Sequence, residues 1–295
     1  MKFVKDMPYF PLSEHEDKKL YYIDEGKGDV LFLIHNWYQN GKICYAPYVD
    51  HFSEKYRVII PDLPGHGRSF KGRNHHYSLK STISILTIFL KQLKKEKNTI
   101  YLLGSSMGAY IALSISLRYP ELAENLILIS TLVDFNVNST EIEKMLSHGP
   151  ALLHANLTYR AVRGLFPFDG RKNKFWQING KIPGKWKHYN QVMENHPIYA
   201  ARDYMESFLD ASIKEDFPKN NKPTLMIYGE NDQLTPTDFA SSVASKMPRG
   251  ILRIIEGSGH HVYLKKPDRI FKLADEFLEE HKKRYFKWLK MFWRR

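Results

Sequence analysis

One cysteine, Cys44, in 295 residues leaves no partner within the chain, so an internal disulfide is excluded. That usage fits a reducing compartment. No stretch approaches the ~18 consecutive apolar residues of a transmembrane helix. The opening residues, Met1 to Asp6, lack the apolar core of about 7–15 residues that marks a secretory signal. The expectation is a cytoplasmic protein. Also missing are an H-E-x-x-H motif, a cysteine cluster and a Gly-rich dinucleotide fingerprint, so neither a metal nor an organic cofactor is expected. Internal repeats and low-complexity segments are absent too.

What is present is enough apolar material, 43% of residues, for a sizeable core, in one large α/β domain or two smaller ones. The net charge of +12 invites a nucleic-acid partner. Much of the excess, however, sits at Lys282, Lys283, Arg284, Lys287, Lys290, Arg294 and Arg295. The remaining lysines are scattered among glutamates, as on a solvated surface. With no nucleic-acid motif in the chain, no nucleic acid is expected as a partner.

Short apolar runs recur along the chain. Val30–Ile34, Tyr56–Ile60, Ile100–Leu103, Leu126–Ser130, Thr224–Tyr228 and Leu252–Ile255 read as strands, several of them buried on both faces. Residues 19–23 alternate loosely and lead into a turn at residues 24–28. Helical spacing runs through residues 45–55, 79–93, 109–119 and 267–278. Strands alternating with amphipathic helices predict a mostly parallel sheet covered on both faces. Residues 131–215 break the rhythm. They hold helical patches and many aromatics, among them Tyr159, Phe166, Trp176 and Trp186, and read as a helical lid inserted after a strand.

The sharpest local pattern is Gly104-Ser105-Ser106-Met107-Gly108, set between the strand Ile100–Leu103 and a helix stopped by Pro120. Glycines two residues either side of Ser106 let strand and helix approach closely and let the turn hold a strained backbone with the hydroxyl projecting. The pattern reads as a nucleophile elbow. The competing reading is an ordinary βα turn whose serine caps the helix.

Further markers stand in order around it: His35-Asn36-Trp37 after the first buried strand, Asp62 to Ser69, Gly229-Glu230-Asn231-Asp232 after a late strand, and Gly257-Ser258-Gly259-His260 after the last. This ordered set resembles the α/β-hydrolase family, in its serine esterase and lipase-like branch, from about Tyr21 to Leu278. The resemblance implies an α/β core at 1–130 and 216–280, a lid at 131–215 and an extra tail at 281–295. It also implies a catalytic triad of Ser106, Asp232 and His260. Serine is a weak nucleophile and needs a base, here His260, whose other ring nitrogen a carboxylate holds in the right tautomer.

Ser105, Glu230, Asp134 and His261 compete for these roles, but motif position favours Ser106, Asp232 and His260. His66 reads as ordering its own turn, and His75 and His76 as polar loop residues. The oxyanion of a tetrahedral intermediate needs two backbone N–H donors. One is expected at Met107, on the helix N-terminus, and the resemblance supplies Trp37 as the other. The residue after His35 is usually glycine in this family; here Asn36 stands there, a side chain tolerant of positive φ that could also narrow the pocket or add a side-chain donor. The activity implied is hydrolysis of a carboxylic ester of a small, largely apolar substrate through an acyl-enzyme. C–C bond hydrolysis of a diketone, amide or peptide cleavage and perhydrolysis use the same constellation. A binding protein on the same fold is a further alternative.

The tail interleaves Tyr285, Trp288, Leu289 and Phe292 with seven basic residues, a composition suited to peripheral contact of residues 282–295 with anionic lipid. In a liposome sedimentation assay the full chain should pellet with anionic vesicles and a chain truncated after Glu280 should stay in the supernatant. Equal recovery of both in the supernatant would contradict the expectation.

Overall fold

A computed structural model describes residues 8–12, 18–134 and 196–292. Most of the expected lid, residues 135–195, lies outside the described residues, as do the side chains of the tail from residue 283 onward. Among the described residues eight strands form one sheet in the order β1-β2-β4-β3-β5-β6-β7-β8. They are β1 (Tyr9–Pro11), β2 (Lys19–Glu25), β3 (Val30–Ile34), β4 (Arg57–Pro61), β5 (Ile100–Ser105), β6 (Asn125–Ile129), β7 (Thr224–Gly229) and β8 (Gly250–Ile255). The β1–β2 and β2–β4 pairs are antiparallel, and all others are parallel.

Every residue of β3, β5 and β6 is buried, as their unbroken apolar runs require. Alternation still sorts them between two cores. Phe32, Leu102, Leu126 and Met226 face one layer, and Leu33, Leu103, Ile127 and Ile227 the other. Each such side chain contributes about 1.5–3 kcal/mol when taken out of water, so the sheet centre is the most strongly stabilised part of the fold.

The first layer is closed by α2 (Leu79–Lys94), α3 (Met107–Arg118) and α4 (Ile198–Leu209). Helix α2 begins with a capping box in which the Ser78 and Ser81 side chains each accept the other's backbone N–H. On the far face lie α1 (Gly41–Phe52) and α7 (Pro267–Phe292), which presents Ile270, Phe271, Ala274, Phe277 and Leu278 to the sheet. Helix α1 kinks at Tyr45, φ −132°, ahead of the internal Pro47. The described end of the segment expected as a lid packs into the main core through Ala200, Ala201, Tyr204 and Met205 of α4.

Helix α7 continues through Phe292, well past Leu278, the last buried core residue among the described side chains. Lys282 secures its path over the sheet through an ion pair of 3.1 Å to Asp29, following the Asp275 contacts to His51 at 3.0 Å and Lys55 at 3.2 Å. No helix among the described residues is long and apolar enough to cross a membrane.

Parallel pairing brings the strand ends to one rim. Ile34 faces Gly104, Ser105 faces Ile129, Ile129 faces Ile227, and Gly229 faces Ile255. Loops leaving β3, β5, β7 and β8 therefore emerge side by side, where ligands of open α/β sheets bind.

Buried histidines brace this rim. His35 Nδ1 donates to the Asn36 carbonyl at 2.7 Å while Nε2 accepts the Leu63 amide at 2.9 Å. His66 Nδ1 donates to the Pro64 carbonyl at 2.9 Å and its ring stacks on His196 with centroids 3.8 Å apart. Burial lowers His35 to about 4; burial, followed by the nearby His196 and His35 charges, holds His66 well below 6.5. Between these values and 6.5 the folded chain binds fewer protons than the unfolded one, so the stability they contribute is complete above pH 6.5 and is lost as pH falls toward 4. Burial raises the Asp62 carboxyl above its ordinary value, a contribution of opposite sign from one group against those of the buried rings. The urea midpoint should therefore be lower at about pH 5 than at about pH 7.5; an unchanged or higher midpoint at pH 5 would contradict neutral burial of these rings.

Candidate active site

Ser106 sits between β5 and α3 at φ 52°, ψ −116°, a conformation that side-chain-bearing residues avoid. Such a backbone costs on the order of 1–3 kcal/mol and persists only where its surroundings over-determine it. They do here. The Ser106 amide donates to the Ile129 carbonyl at 2.8 Å, extending the β5–β6 ladder, and its carbonyl accepts the Tyr110 amide at 3.0 Å, opening α3. A Cβ on Gly108 would run into the Ile34 carbonyl, and one on Gly104 into the Gly108 backbone. The Ser106 side chain makes no capping bond to α3. The helix-cap reading is therefore excluded.

The hydroxyl instead meets His260, whose Nε2 lies 3.0 Å from Ser106 Oγ. On the other side of the ring Nδ1 lies 2.9 Å and 3.1 Å from the two Asp232 carboxylate oxygens, to which it donates. Ser106, His260 and Asp232 thus form one hydrogen-bonded chain across three loops. Asp232 is 3% exposed. Burial alone raises its carboxyl, but the hydrogen bond and charge of His260, joined by the Thr235 hydroxyl and amide, outweigh that and bring it to about 2. It is ionised at neutral pH.

Thr235 stands outside the sequence motifs. Its hydroxyl donates to Asp232 Oδ2 at 2.5 Å and its amide to Oδ1 at 3.0 Å, with the Leu234 amide adding 2.9 Å. An Asp followed by a Thr three residues on is the spacing that could have drawn attention to it.

Two loops carry Asp232 and His260, and backbone contacts lock them together. The Asn231 amide donates to the Ser258 carbonyl at 2.8 Å, and the Glu230 amide to Ile255 at 3.0 Å. Gly229 lies so close under this crossing that a Cβ there would strike the Ser258 and Gly259 carbonyls. The competitors fall elsewhere. Glu230 accepts the Gly257 amide at 3.0 Å, Asp134 pairs with Lys214 at 3.4 Å, and His261 Nδ1 lies 3.1 Å from the Tyr263 hydroxyl. Ser105 is buried within β5.

Met107 is the first residue of α3, directly after Ser106, and Trp37 stands three residues beyond β3, the strand beside β5. The two expected oxyanion donors thus sit on loops from neighbouring strands. The Trp37 ring stacks on Tyr38 at 4.0 Å and meets the edge of Phe208 at 5.0 Å. Positive φ in this loop falls on Tyr38, 64°, and not on Asn36. The backbone tolerance of asparagine is therefore not what admits it; its buried side-chain amide donates to the Tyr263 hydroxyl at 2.5 Å. The segment from Asp62 onward supports the same loop, the Asp62 carboxylate accepting the Gly41 and Arg68 amides at 2.8 Å each. Among the described residues no group of three or more His, Cys, Asp or Glu side chains could hold a metal ion.

Comparison with known proteins agrees with this architecture. The family model described as alpha/beta hydrolase fold matches residues 29–267. A pimeloyl-[acyl-carrier protein] methyl ester esterase of Yersinia pseudotuberculosis is 24% identical over 269 residues, spanning 90% of this chain and 100% of its own length. Among solved structures, a thermophilic esterase from Thermogutta terrifontis superposes with a TM-score of 0.70 at 20% identity, covering 93% of this chain and 98% of that one. The esterase EaEST from Exiguobacterium antarcticum gives 0.68 at 22% identity, covering 89% and 96%. With most of its length matched by the family model and its sheet superposing on solved members, the chain belongs to the α/β-hydrolase family.

Proposed function

We propose that the chain is a serine hydrolase cleaving a carboxylic ester of a small, largely apolar substrate. The observation that carries this reading is the unbroken hydrogen-bonded series from Ser106 Oγ through the His260 ring to a buried, ionised Asp232. A hydroxyl at neutral pH becomes a useful nucleophile only when a base takes its proton as it attacks. His260 Nε2 is within reach of that proton, and the Asp232 carboxylate holds the opposite N–H, fixing the tautomer and stabilising the imidazolium.

In the proposed cycle Ser106 Oγ attacks the ester carbonyl and its proton passes to His260 Nε2. The amides of Met107 and Trp37 receive the oxyanion, the first of them favoured by the positive end of α3. Collapse expels the alcohol, protonated by His260, and leaves an acyl-serine. Water then gives its proton to the same nitrogen and attacks the acyl carbon, releasing the carboxylic acid and restoring Ser106. The aromatic group Trp37, Tyr38 and Phe208 beside the proposed oxyanion amide supports an apolar substrate. The esterase name carried by the Yersinia relative supports an ester over an amide.

Hydrolysis of p-nitrophenyl esters of rising chain length, run beside a dienol diketone, tests both the role and the bond. Wild type should turn over the esters and not the diketone. Ser106→Ala should lose about six orders of magnitude in kcat and Asp232→Asn about four, with the fold retained. Activity surviving in Ser106→Ala, or turnover of the diketone alone, would contradict the reading.

A further inference from the structure

Outside the triad, one buried hydroxyl joins the loops that the proposed reaction depends on. Tyr263, 1% exposed, lies in the short helix α6 (Val262–Lys265) directly after the base. Its phenol accepts the Asn36 Nδ2 donor at 2.5 Å and donates to Gln39 Oε1 at 3.2 Å. His261 Nδ1 lies 3.1 Å from the same oxygen. A phenol has one proton to give and two lone pairs to offer. With the proton committed to Gln39, His261 must present Nδ1–H, and the hydroxyl is then fully used. Its own main chain is tied down as well, since the Tyr263 carbonyl accepts the Tyr48 hydroxyl at 3.0 Å.

Asn36, Gln39 and His261 bring two loops to this oxygen, and the buried Cys44 of α1 lies beside it. Asn36 precedes Trp37, the proposed oxyanion donor, and Gln39 follows it within the same loop. His261 follows His260, the proposed base, with ring centroids 5.7 Å apart. Along the sheet these loops are far from neighbours, because β5, β6 and β7 separate β3 from β8. At about 4.8 Å per strand the separation is roughly 19 Å, and without a direct link the error in placing one loop against the other accumulates over four pairings. The phenol supplies that link at the rim. A glycine at position 36 would have no side chain to make it.

We propose that Tyr263 and Asn36 are positioning residues that set the oxyanion amide of Trp37 against His260. This rests on the serine-hydrolase reading above. Asn36 in place of the family's usual glycine is then a working part of the site, acting through its amide on Tyr263.

Tyr263→Phe removes the oxygen and keeps the ring. On a p-nitrophenyl ester, kcat should fall about tenfold, the scale expected for sub-ångström misplacement of reacting groups, with KM within about twofold of wild type. Titration with a fluorophosphonate separates positioning from folding. The fraction of chains finally labelled should equal that of wild type, while the labelling rate falls with kcat. Asn36→Ala reads the same link from the other side and serves alone if Tyr263→Phe does not fold. The double variant should lose no more than the weaker single, because both changes cut one connection. Unchanged kcat per labelled site in either folded variant, or losses that multiply in the double, would overturn the proposal. So would a labelled fraction that drops in step with activity, since that is a purely structural effect. Failure of wild type itself to label would instead refute the hydrolase reading, and is seen before any variant is made.

Discussion

The arrangement rests on how closely α3 can approach the strands beneath it. Gly108 packs against the carbonyl of Ile34 at the end of β3, and Gly104 against the backbone of Gly108, at separations that admit no Cβ. Because the helix starts that close to the sheet, the chain must turn from β5 into α3 within a single residue, and Ser106 absorbs the turn at φ 52°. The strain has a local cost and a local source of support, the amide bond to Ile129 and the first helical bond to Tyr110. A serine displayed this way has no use as a cap. Its hydroxyl stands clear of the helix and is available to His260.

The same economy of backbone runs through the loops that carry Asp232 and His260. Gly229 permits the Asp232 loop to cross under the His260 loop, and the bond from Asn231 to Ser258 fixes the crossing. Placed there, Asp232 is almost wholly buried, which would ordinarily favour its neutral form. Hydrogen bonds from His260, Thr235 and Leu234 reverse the balance and hold the carboxylate ionised. The buried charge is thus satisfied from every side, as low-dielectric surroundings demand. Asp62 plays a comparable part beneath the loop after β3, accepting the Gly41 and Arg68 amides.

Much of this was legible in the residues, for physical reasons. Strands buried on both faces must be apolar throughout, so β3, β5 and β6 announced themselves. Gly104 and Gly108 are forced by backbone proximity, and Ser106, Asp232 and His260 follow strand ends in an order the resemblance supplied. Other features left little trace. Strand β1 has three residues, too few for any period, and α5 (Thr237–Lys246) buries only Ala240 and Val243. Helix α4 sits in a stretch read as a lid, yet Tyr204 and Phe208 belong to the core, because tertiary packing and not local pattern recruits them. Asn36 offers both backbone tolerance and a side-chain donor; the positive φ falls on Tyr38, and it is the donor that the structure uses, on a partner no spacing reveals. Contacts between residues 227 positions apart, such as Asn36 and Tyr263, leave no signal in spacing at all.

The central claim is that the strained serine, and no other hydroxyl, is the nucleophile. Mass spectrometry of the intact chain after treatment with a fluorophosphonate, followed by peptide fragmentation, tests it most directly. One adduct per chain, located on Ser106, is the expected result. An adduct on Ser105 or another residue, or an unmodified chain, would contradict it.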